Sequence, residues 1–300
     1  MKVTNNFNVP DVFLKALQDS SWKPSADRVS VTGLFQPPMI KHLTMTYWEE
    51  LEVDATDLFY RLDGTALHHV IEMAAEKMIG VLAEHKLFLP AEHFGLAISG
   101  RLDVWDFLND CIIDAKNTGV MGVARGIKED WIIQQNVYRY MIWKIHNHVV
   151  KKLKIAVKLR DWMPSNAGRG DYPASPFAEF ILPLWDFDKT EKYIQSRVDL
   201  YMQEEVPMCT DEECWRSPDC YAVKKKGAKK AVAATMIDEG KRIPIPTEEA
   251  AKSIIRLKGG DKDLYVEHRV GGCRRCQSYC DVRSLCRKYN PQLWKAGERI

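Results

Sequence analysis

The chain has 300 residues, of which 46% are apolar, and a formal net charge of +2 at pH 7. This composition is typical of a globular protein with a sizeable core. Because the net charge is close to zero, the chain as a whole is not strongly basic, and any contact with nucleic acid must use a local patch. No apolar run approaches the roughly 20 residues that span a bilayer, and the start, MKVTNNFNVPDVFLK, lacks the apolar core of a secretory signal. We therefore expect no membrane association and a cytoplasmic location.

The predicted elements begin after a mixed lead-in over residues 1 to 50. Apolar residues recur at helical spacing from Gly64 to about Phe88 and predict a helix. The stretches GLAISGRLDVWDF and CIIDAKN alternate between apolar and polar residues, and the turn-like DFLND between them predicts an antiparallel hairpin. A second helix is predicted from Lys128 to Val149, followed by strands in LKIAVKLRDW and FAEFILPLW and a helix in DKTEKYIQSRVDLYMQEEV.

This order of elements predicts one α/β core over residues 1–206 with a helical lead-in. Past Pro207 the composition shifts to cysteine, lysine and glycine. We interpret residues 207–300 as a basic, cysteine-rich C-terminal appendage that packs on the core.

Three charged residues, Asp103, Asp114 and Lys116, lie within the two strands of the predicted hairpin. Side chains alternate across a strand, so Asp114 and Lys116 project from one face, and Asp103 can join them from the neighbouring strand. Two carboxylates that converge beside a lysine are costly unless a cation neutralises them, and their oxygens suit Mg²⁺ or Mn²⁺. The lysine could then orient a water beside the metal or offset charge on a phosphate. In the structural alternative, the aspartates flank turns and Lys116 is a solvated edge residue.

Two helical pairs accompany these charges. His68 and Glu72 lie one turn apart on the flank of the first apolar stripe, where an imidazole could reach a metal; a structural histidine is the alternative. Gln134 and Tyr138 lie four residues apart on the inward stripe of the second helix, and a buried glutamine needs hydrogen-bond partners. A nearby backbone carbonyl could be that partner, so each pair alone leaves both interpretations open.

Taken in chain order, G-T-x-x-H-x-x-x-E, G-x-x-D, D-x-K and Q-x-x-x-Y resemble the RecB-like branch of the PD-(D/E)XK nuclease superfamily. The resemblance implies a restriction-endonuclease-like α/β core, in which helices flank a mixed central sheet. It also implies a metal-dependent phosphodiesterase, and it assigns roles to residues of this chain. The implied ligands of Mg²⁺ or Mn²⁺ are His68, Asp103, Asp114 and the backbone carbonyl of Ala115. The implied catalytic residues are Asp103, Asp114 and Lys116, with Gln134 and Tyr138 supporting the site and the DNA strand, and Glu72 matching the motif's glutamate.

Further stretches are similar to phage and prophage exonucleases of this branch: VSVTGLFQPPMIKHL, EDWIIQQNVYRYM, KLRDWMPSNAG, DYPASPFAEFILPLW and YAVKKKGAKKAV. This similarity implies an exonuclease that acts on DNA ends during phage or prophage recombination, in a bacterial or phage-infected host cytoplasm. It makes DNA the expected partner, with a recombination or single-strand-binding protein and a homo-oligomer as further expectations. Two alternatives stay open: a noncatalytic DNA-binding or assembly subunit, and a nuclease of the CRISPR-adaptation type.

Eight cysteines occur in the chain, and CRRCQSYCDVRSLC near the end holds four of them: Cys273, Cys276, Cys280 and Cys286. Thiolates this close together favour Zn²⁺ or an iron-sulfur cluster. The last three resemble the terminal cysteine triplet of iron-sulfur RecB-like nucleases, which implies a [4Fe-4S] cluster that fastens the C-terminal tail to the core; Zn²⁺ is the alternative. Relatives carry the fourth cysteine near the N-terminus, where this chain has none.

Two cysteines are candidates for the fourth ligand. Cys209 is preferred because it opens the appendage, and Cys273 is the alternative because of its C-x2-C spacing with Cys276. Cys214 and Cys220 are interpreted as incidental, and Cys111 as a structural thiol in a buried strand.

The stretch YAVKKKGAKKAVA predicts a basic hairpin around Gly227, with five lysines: Lys224, Lys225, Lys226, Lys229 and Lys230. Such a hairpin could follow a phosphate backbone without reading sequence, and its contacts should weaken as salt rises. The alternative is a solvated edge strand that lysines keep from aggregating.

Overall fold

The computed structural model describes residues 1–18, 24–124, 126–295 and 298–299. They form two compact units, Met1–Met208 and Cys209–Ile300, called here the N-terminal and C-terminal units. The boundary predicted from composition, after residue 206, lies just before the observed one.

The N-terminal unit is built from seven helices and eight strands among its described residues. The helices are α1 (Asp11–Gln18), α2 (Val31–Leu34), α3 (Pro38–Thr46), α4 (Phe59–Ala75), α5 (Val120–Val123), α6 (Glu129–His146) and α7 (Phe187–Tyr201). The strands are β1 (Lys2–Thr4), β2 (Arg28–Ser30), β3 (Glu52–Asp54), β4 (Val81–Leu89), β5 (Ala97–Asp106), β6 (Cys111–Thr118), β7 (Lys152–Leu159) and β8 (Phe177–Ile181).

Six of these strands form a mixed sheet of order β2-β5-β6-β7-β8, with β4 also pairing with β5. The β4–β5, β5–β6 and β7–β8 pairs are antiparallel, whereas β2–β5 and β6–β7 are parallel. Helices α4 and α6 contact this sheet. The expectation of an α/β fold with a mixed central sheet flanked by helices is therefore confirmed.

The core lies between the sheet and α6. Strand β7 follows the two-residue period of a half-buried strand, with Leu153, Ile155, Val157 and Leu159 buried and lysines between them. Helix α6 contacts β4, β6 and β7 and also α7, so most of its residues from Trp131 onward are buried rather than only one stripe. This packing fixes α6 against the strands that carry the charged residues.

Strands β5 and β6 pair over only three residues and then separate. The register joins Val104 to Ile113 and ends at the turn with Asp106 opposite Cys111. Strand β4 pairs with one edge of β5 along nearly its whole length. The opposite edge of β5 pairs with β2 at residues 97–99 and with β6 at residues 104–106. The space between these two pairings is where Asp103 and Asp114 lie.

Most predicted elements of this unit are confirmed, namely the hairpin β5–β6, helix α6, strands β7 and β8, and helix α7. The predicted helix from Gly64 to Phe88 is wrong in its second half, because α4 ends at Ala75 and Val81–Leu89 forms strand β4. Leu87 and Leu89 are buried while Phe88 is exposed. This is the alternation of a strand, which the helical spacing of the preceding residues obscured.

The C-terminal unit has a small core of its own around Val223, Ile245 and Ala251. Its strands are β9 (Cys220–Lys225), β10 (Thr235–Asp238), β11 (Lys241–Pro244), β12 (Leu264–Arg269), β13 (Trp294–Lys295) and β14 (Glu298–Arg299), and its helices are α8 (Glu248–Leu257) and α9 (Arg274–Ser278). Strand β9 pairs antiparallel with β12, and α8 packs on both. No helix in the described part of the chain is both long and apolar enough to cross a membrane.

Candidate functional site

Asp103 on β5 and Asp114 on β6 are both buried, with exposed fractions of 9% and 1%. Asp103 Oδ2 accepts a hydrogen bond of 2.7 Å from the backbone N–H of Ala115. Neither carboxylate oxygen of Asp114 has a hydrogen-bond partner with normal geometry in the described part of the chain. Asp114 is thus a buried carboxylate whose Oδ2 has the Lys116 ammonium group 2.7 Å away and whose Oδ1 has no partner among the described residues.

Electrostatics in this space disfavour two ionised carboxylates. Burial, and then the neighbouring Asp114, raise the pKa of Asp103 to about 7, against the opposing effects of His68, the Ala115 N–H and Lys116. Burial also raises the pKa of Asp114, although Lys116 and His68 oppose it. A cation placed between the oxygens would lower both pKa values again, because it favours the ionised form of each carboxylate.

Lys116 projects from the same face of β6 as Asp114, as the two-residue spacing predicts. Its Nζ lies 2.7 Å from Asp114 Oδ2 and donates a hydrogen bond of 3.3 Å to Gln134 Oε1 on α6. The side chain is 29% exposed, so its ammonium group remains accessible to water. The partner found for Gln134 is therefore Lys116, whereas the alternative named for it from the sequence was a backbone carbonyl.

Tyr138 lies one turn further along α6 and anchors β5 instead of contacting a carboxylate. Its hydroxyl donates a hydrogen bond of 2.9 Å to the carbonyl oxygen of Arg101. A Cβ on Gly100 would lie 2.5 Å from Tyr138 Cε1 and 2.8 Å from Val31 Cγ2, so the glycine permits this close approach. The tyrosine thus fixes the strand two residues before Asp103.

His68 on α4 reaches the same space. Its Nδ1 lies 2.8 Å from Glu84 Oε1 and 3.5 Å from Asp103 Oδ1. One ligand atom from each of His68, Glu84 and Asp103 lies within 4.8 Å of the other two, so the three residues could hold a metal ion. The second oxygen of Glu84, Oε2, lies 2.7 Å from Arg101 Nε.

Glu84 was missed by the sequence analysis. It stands in the middle of β4 with φ of 50°, and the β4–β5 ladder passes from Ala83 to His85 without a pair at Glu84. In that register it lies opposite Asp103, and only 9% of its side chain is exposed. A glutamate in a strand has the sequence signature of a surface residue, so no local signal marked it.

Glu72 is not brought to this space. Its carboxylate lies 3.7 Å from His69 Nδ1, and 43% of its side chain is exposed. In the described part of the chain, no hydrogen bond or ion pair joins the Glu72 side chain to His68, Asp103 or Asp114. The acidic neighbour of His68 is therefore Glu84 and not the glutamate of the motif.

The backbone of Ala115 also faces the carboxylates. The N–H and C=O groups of one residue in a strand point to the same side. Because the Ala115 N–H points to Asp103, the Ala115 carbonyl oxygen faces the space between β5 and β6 as well. A cation in that space could use this oxygen as a ligand.

A second candidate centre lies in the C-terminal unit, where Cys214, Cys273 and Cys276 are close enough to hold a metal ion, with their sulfur atoms within 4.8 Å of one another. The interpretation of Cys214 as incidental was therefore wrong, since it is buried and belongs to this group. Spacing could not reveal it, because about 60 residues separate Cys214 from Cys273 and sequence patterns report only local neighbours.

The other predicted thiol ligands lie around this group. Burial raises the pKa of Cys209 to about 12, with Cys214, Glu213, Cys286 and Cys280 contributing. Burial likewise raises the pKa of Cys276 to about 12, with Cys214, Cys280 and Cys273 contributing. The four predicted ligands Cys209, Cys276, Cys280 and Cys286 are thus neighbours. Of these four, Cys276 is the one that also belongs to the group of Cys214, Cys273 and Cys276.

Backbone contacts hold the two cysteine-bearing segments together. The N–H of Arg275 donates to the carbonyl oxygen of Cys214 over 3.1 Å, and Arg216 and Cys273 form a β-bridge. A Cβ on Gly271 would lie 1.7 Å from the carbonyl oxygen of Ser217, so only glycine fits this crossing. Backbone contacts therefore help to place the thiols.

The five lysines of the predicted basic hairpin divide into two groups. Lys224 and Lys225 on β9 form ion pairs with Glu267, at 3.0 Å, and Asp261, at 3.1 Å. Lys226, Lys229 and Lys230 are exposed and have no ion pair in the described part of the chain. The chain does return beside β9, with a β-bridge between Val223 and Ala233, but the long partner of β9 is β12.

No protein-family model and no curated protein matches the chain. A solved structure described as "Crystal structure of SSO0001" has a TM-score of 0.47 and 15% sequence identity, and the match covers 68% of this chain and 90% of that chain. So distant a likeness carries no argument about the function of this chain.

Replacement of Glu84 measures how unfavourable its backbone conformation is for an L-residue. We expect Glu84→Gly to be more stable than Glu84→Ala by about 1 kcal/mol, because glycine adopts positive φ without the steric cost of a Cβ. Urea unfolding of both variants gives the difference. Lys86, an exposed residue of the same strand without positive φ, is the matched control, and there the glycine variant should be the less stable. The same order at both positions would contradict the prediction.

Substitution of single cysteines tests which thiols hold a metal. If the three thiols hold a metal, we expect Cys214→Ser and Cys276→Ser to contain less of it than the wild type and Cys220→Ser on β9 to contain as much, because Cys220 lies outside the three-thiol group. Metal analysis of protein purified without oxygen provides the measurement. Retention of metal by Cys214→Ser together with its loss from Cys209→Ser would instead favour the set Cys209, Cys276, Cys280 and Cys286.

Proposed function

We propose that this chain is a DNA nuclease of the RecB-like PD-(D/E)XK type that uses Mg²⁺ or Mn²⁺ and degrades DNA from its ends. The burial of Asp103 and Asp114 beside Lys116 is the observation that carries the proposal. An apolar pair would fill this space at lower cost in free energy, so buried carboxylates with few partners support a site kept for a cation.

The donor atoms suit the proposed ions. Asp103, Asp114 and the Ala115 carbonyl offer oxygen atoms, which Mg²⁺ prefers, and His68 adds an imidazole nitrogen, which Mn²⁺ tolerates. The oxygen atoms of Asp114 are the strongest sign of fit, because Lys116 lies close to Oδ2 and a bound cation would supply a partner for Oδ1. Such an ion polarises a phosphate oxygen and lowers the pKa of a bound water.

The residues of the chain supply positioning and charge. Gln134 fixes the Lys116 ammonium group beside Asp114, where it can hold the attacking water and offset negative charge on the phosphate. Tyr138 holds the β5 backbone before Asp103, which keeps the two carboxylates in a constant relation. The setting, phage or prophage DNA recombination and end processing, follows from the resemblance alone.

For the cysteine centre we propose a [4Fe-4S] cluster with a structural role, and Zn²⁺ as the alternative. Burial raises the pKa of Cys209, Cys273, Cys276 and Cys280, and neighbouring cysteines, Cys214 and Cys286 among them, contribute to these shifts. Six cysteines of the C-terminal unit thus lie near one another, which is more ligands than one cluster needs. Iron and sulfide in equal amounts would support the cluster, and zinc without sulfide would support the alternative.

Cleavage of end-labelled linear DNA beside a covalently closed circle tests the nuclease. We expect metal-dependent loss of the linear DNA alone, no cleavage in EDTA, and a loss of at least about 100-fold in Lys116→Ala and Asp114→Asn, the usual cost of removing charge stabilisation. Lys158→Ala, an exposed lysine of β7, is the matched control and should keep full activity. Binding without cleavage of either DNA in the wild type would instead favour a noncatalytic DNA-binding subunit.

The unpaired lysines generate a separate prediction about salt. We expect the combined change of Lys226, Lys229 and Lys230 to alanine to reduce the slope of log K against log salt by about 2 to 3, since each phosphate contact contributes about 0.9. Fluorescence anisotropy with labelled duplex DNA measures the slope. The double change of Lys224 and Lys225 to alanine is the control and should reduce it less, because acidic residues already neutralise them. A larger reduction of the slope by the double change than by the triple change would exclude residues 226–230 as the contact surface.

A further inference from the structure

Glu84 has partners on both sides of its carboxylate. Oε1 lies 2.8 Å from His68 Nδ1, and Oε2 lies 2.7 Å from Arg101 Nε. Arg101 is 60% exposed, whereas Glu84 is 9% exposed. The three side chains form a line from solvent through Glu84 to the imidazole beside Asp103.

This placement depends on an unfavourable backbone conformation. The strand is paired normally at Ala83 and His85, yet Glu84 between them has φ of 50°. A non-glycine residue at positive φ in a strand persists only where surrounding contacts favour it, and such residues concentrate at functional sites. At Glu84 these contacts are the hydrogen bond with His68 and the ion pair with Arg101.

The consequence for His68 follows from imidazole chemistry. A neutral imidazole has one N–H and one lone pair, and a carboxylate that accepts a hydrogen bond from Nδ1 leaves the lone pair on Nε2. No hydrogen bond to Nε2 of His68 is present in the described part of the chain. Histidine ligands of metals commonly donate their other N–H to a carboxylate, which fixes both the tautomer and the ring orientation.

We propose that Glu84 is a positioning residue for the metal centre: it holds the imidazole beside Asp103 by accepting a hydrogen bond from Nδ1 of His68, which leaves the Nε2 lone pair for the ion, and Arg101 neutralises the charge of Glu84. This inference rests on the proposed metal site of Asp103, Asp114 and His68. Direct ligation by Glu84 is the alternative, since it lies within 4.8 Å of ligand atoms of His68 and Asp103, and it would require the ion to displace His68 from Oε1 or Arg101 from Oε2. A positioning residue acts only through His68, whereas a ligand acts by itself.

Mn²⁺ binding to the full chain, followed by calorimetry and by electron paramagnetic resonance, separates these roles. Glu84→Gly removes the carboxylate at a backbone position that glycine fits, and Glu84→Gln keeps an acceptor for Nδ1–H. We expect Glu84→Gly to weaken Mn²⁺ affinity about 10- to 100-fold, the usual effect of losing such a partner, and Glu84→Gln to weaken it less. Both should leave the affinity unchanged in a His68→Ala background, because the residue through which Glu84 acts is then absent. Glu92→Gln, an exposed glutamate, is the control for loss of charge.

Three results would overturn the inference: equal weakening in the wild-type and His68→Ala backgrounds, loss of a bound ion in Glu84→Gln, or no weakening in any Glu84 variant. The first two would make Glu84 a ligand. If the wild type binds no Mn²⁺, the proposed metal site is wrong and the inference fails with it. Normal Mn²⁺ binding and coupling to His68 without DNA cleavage would overturn the proposed nuclease activity while supporting the role of Glu84.

Discussion

The burial of two carboxylates where β5 and β6 separate is the constraint on which the rest of the N-terminal unit depends. An ionised carboxylate loses much of its hydration under a sheet and a helix, and a second one nearby adds repulsion. The chain compensates only in part, since Asp103 accepts the Ala115 N–H and Asp114 has the Lys116 ammonium group. The remaining imbalance is the reason that we propose a cation there, because a fully satisfied network would have no free oxygen atom to offer it.

The surrounding elements serve packing and chemistry at once. Helix α6 is buried against the sheet and α7, and the same helix presents Gln134 to Lys116 and Tyr138 to the β5 backbone. Gly100 lets the tyrosine approach, so the strand position before Asp103 is set by ring packing as well as by a hydrogen bond. Damage to the core at α6 would therefore disturb the relation between the two carboxylates as well as the stability of the unit.

Local patterns predicted those parts of the site that depend on local geometry. The two-residue period placed Asp114 and Lys116 on one face, and the turn placed Asp103 on the adjacent strand. Contacts between distant segments were not predictable: Glu84 reaches His68 through a positive φ that no residue type announces, and Cys214 meets Cys273 through backbone crossings. The strand that carries Glu84 was itself predicted as helix, because its apolar residues continued the helical spacing of α4 by coincidence. Glu72 shows the converse, since matching a motif did not bring its side chain to the site.

Arg101 contributes to the site through two atoms of different kinds. Its carbonyl oxygen accepts the Tyr138 hydroxyl, and its guanidinium pairs with Glu84. Any amino acid offers the first contact, whereas only a long cationic side chain offers the second. Mutational drift at this position would therefore leave the anchoring of β5 to α6 untouched while altering the charge balance around His68. Substitutions at this position can thus change the ion pair with Glu84 but not the backbone hydrogen bond from Tyr138. Relatives with another residue here would be informative about the ion pair alone.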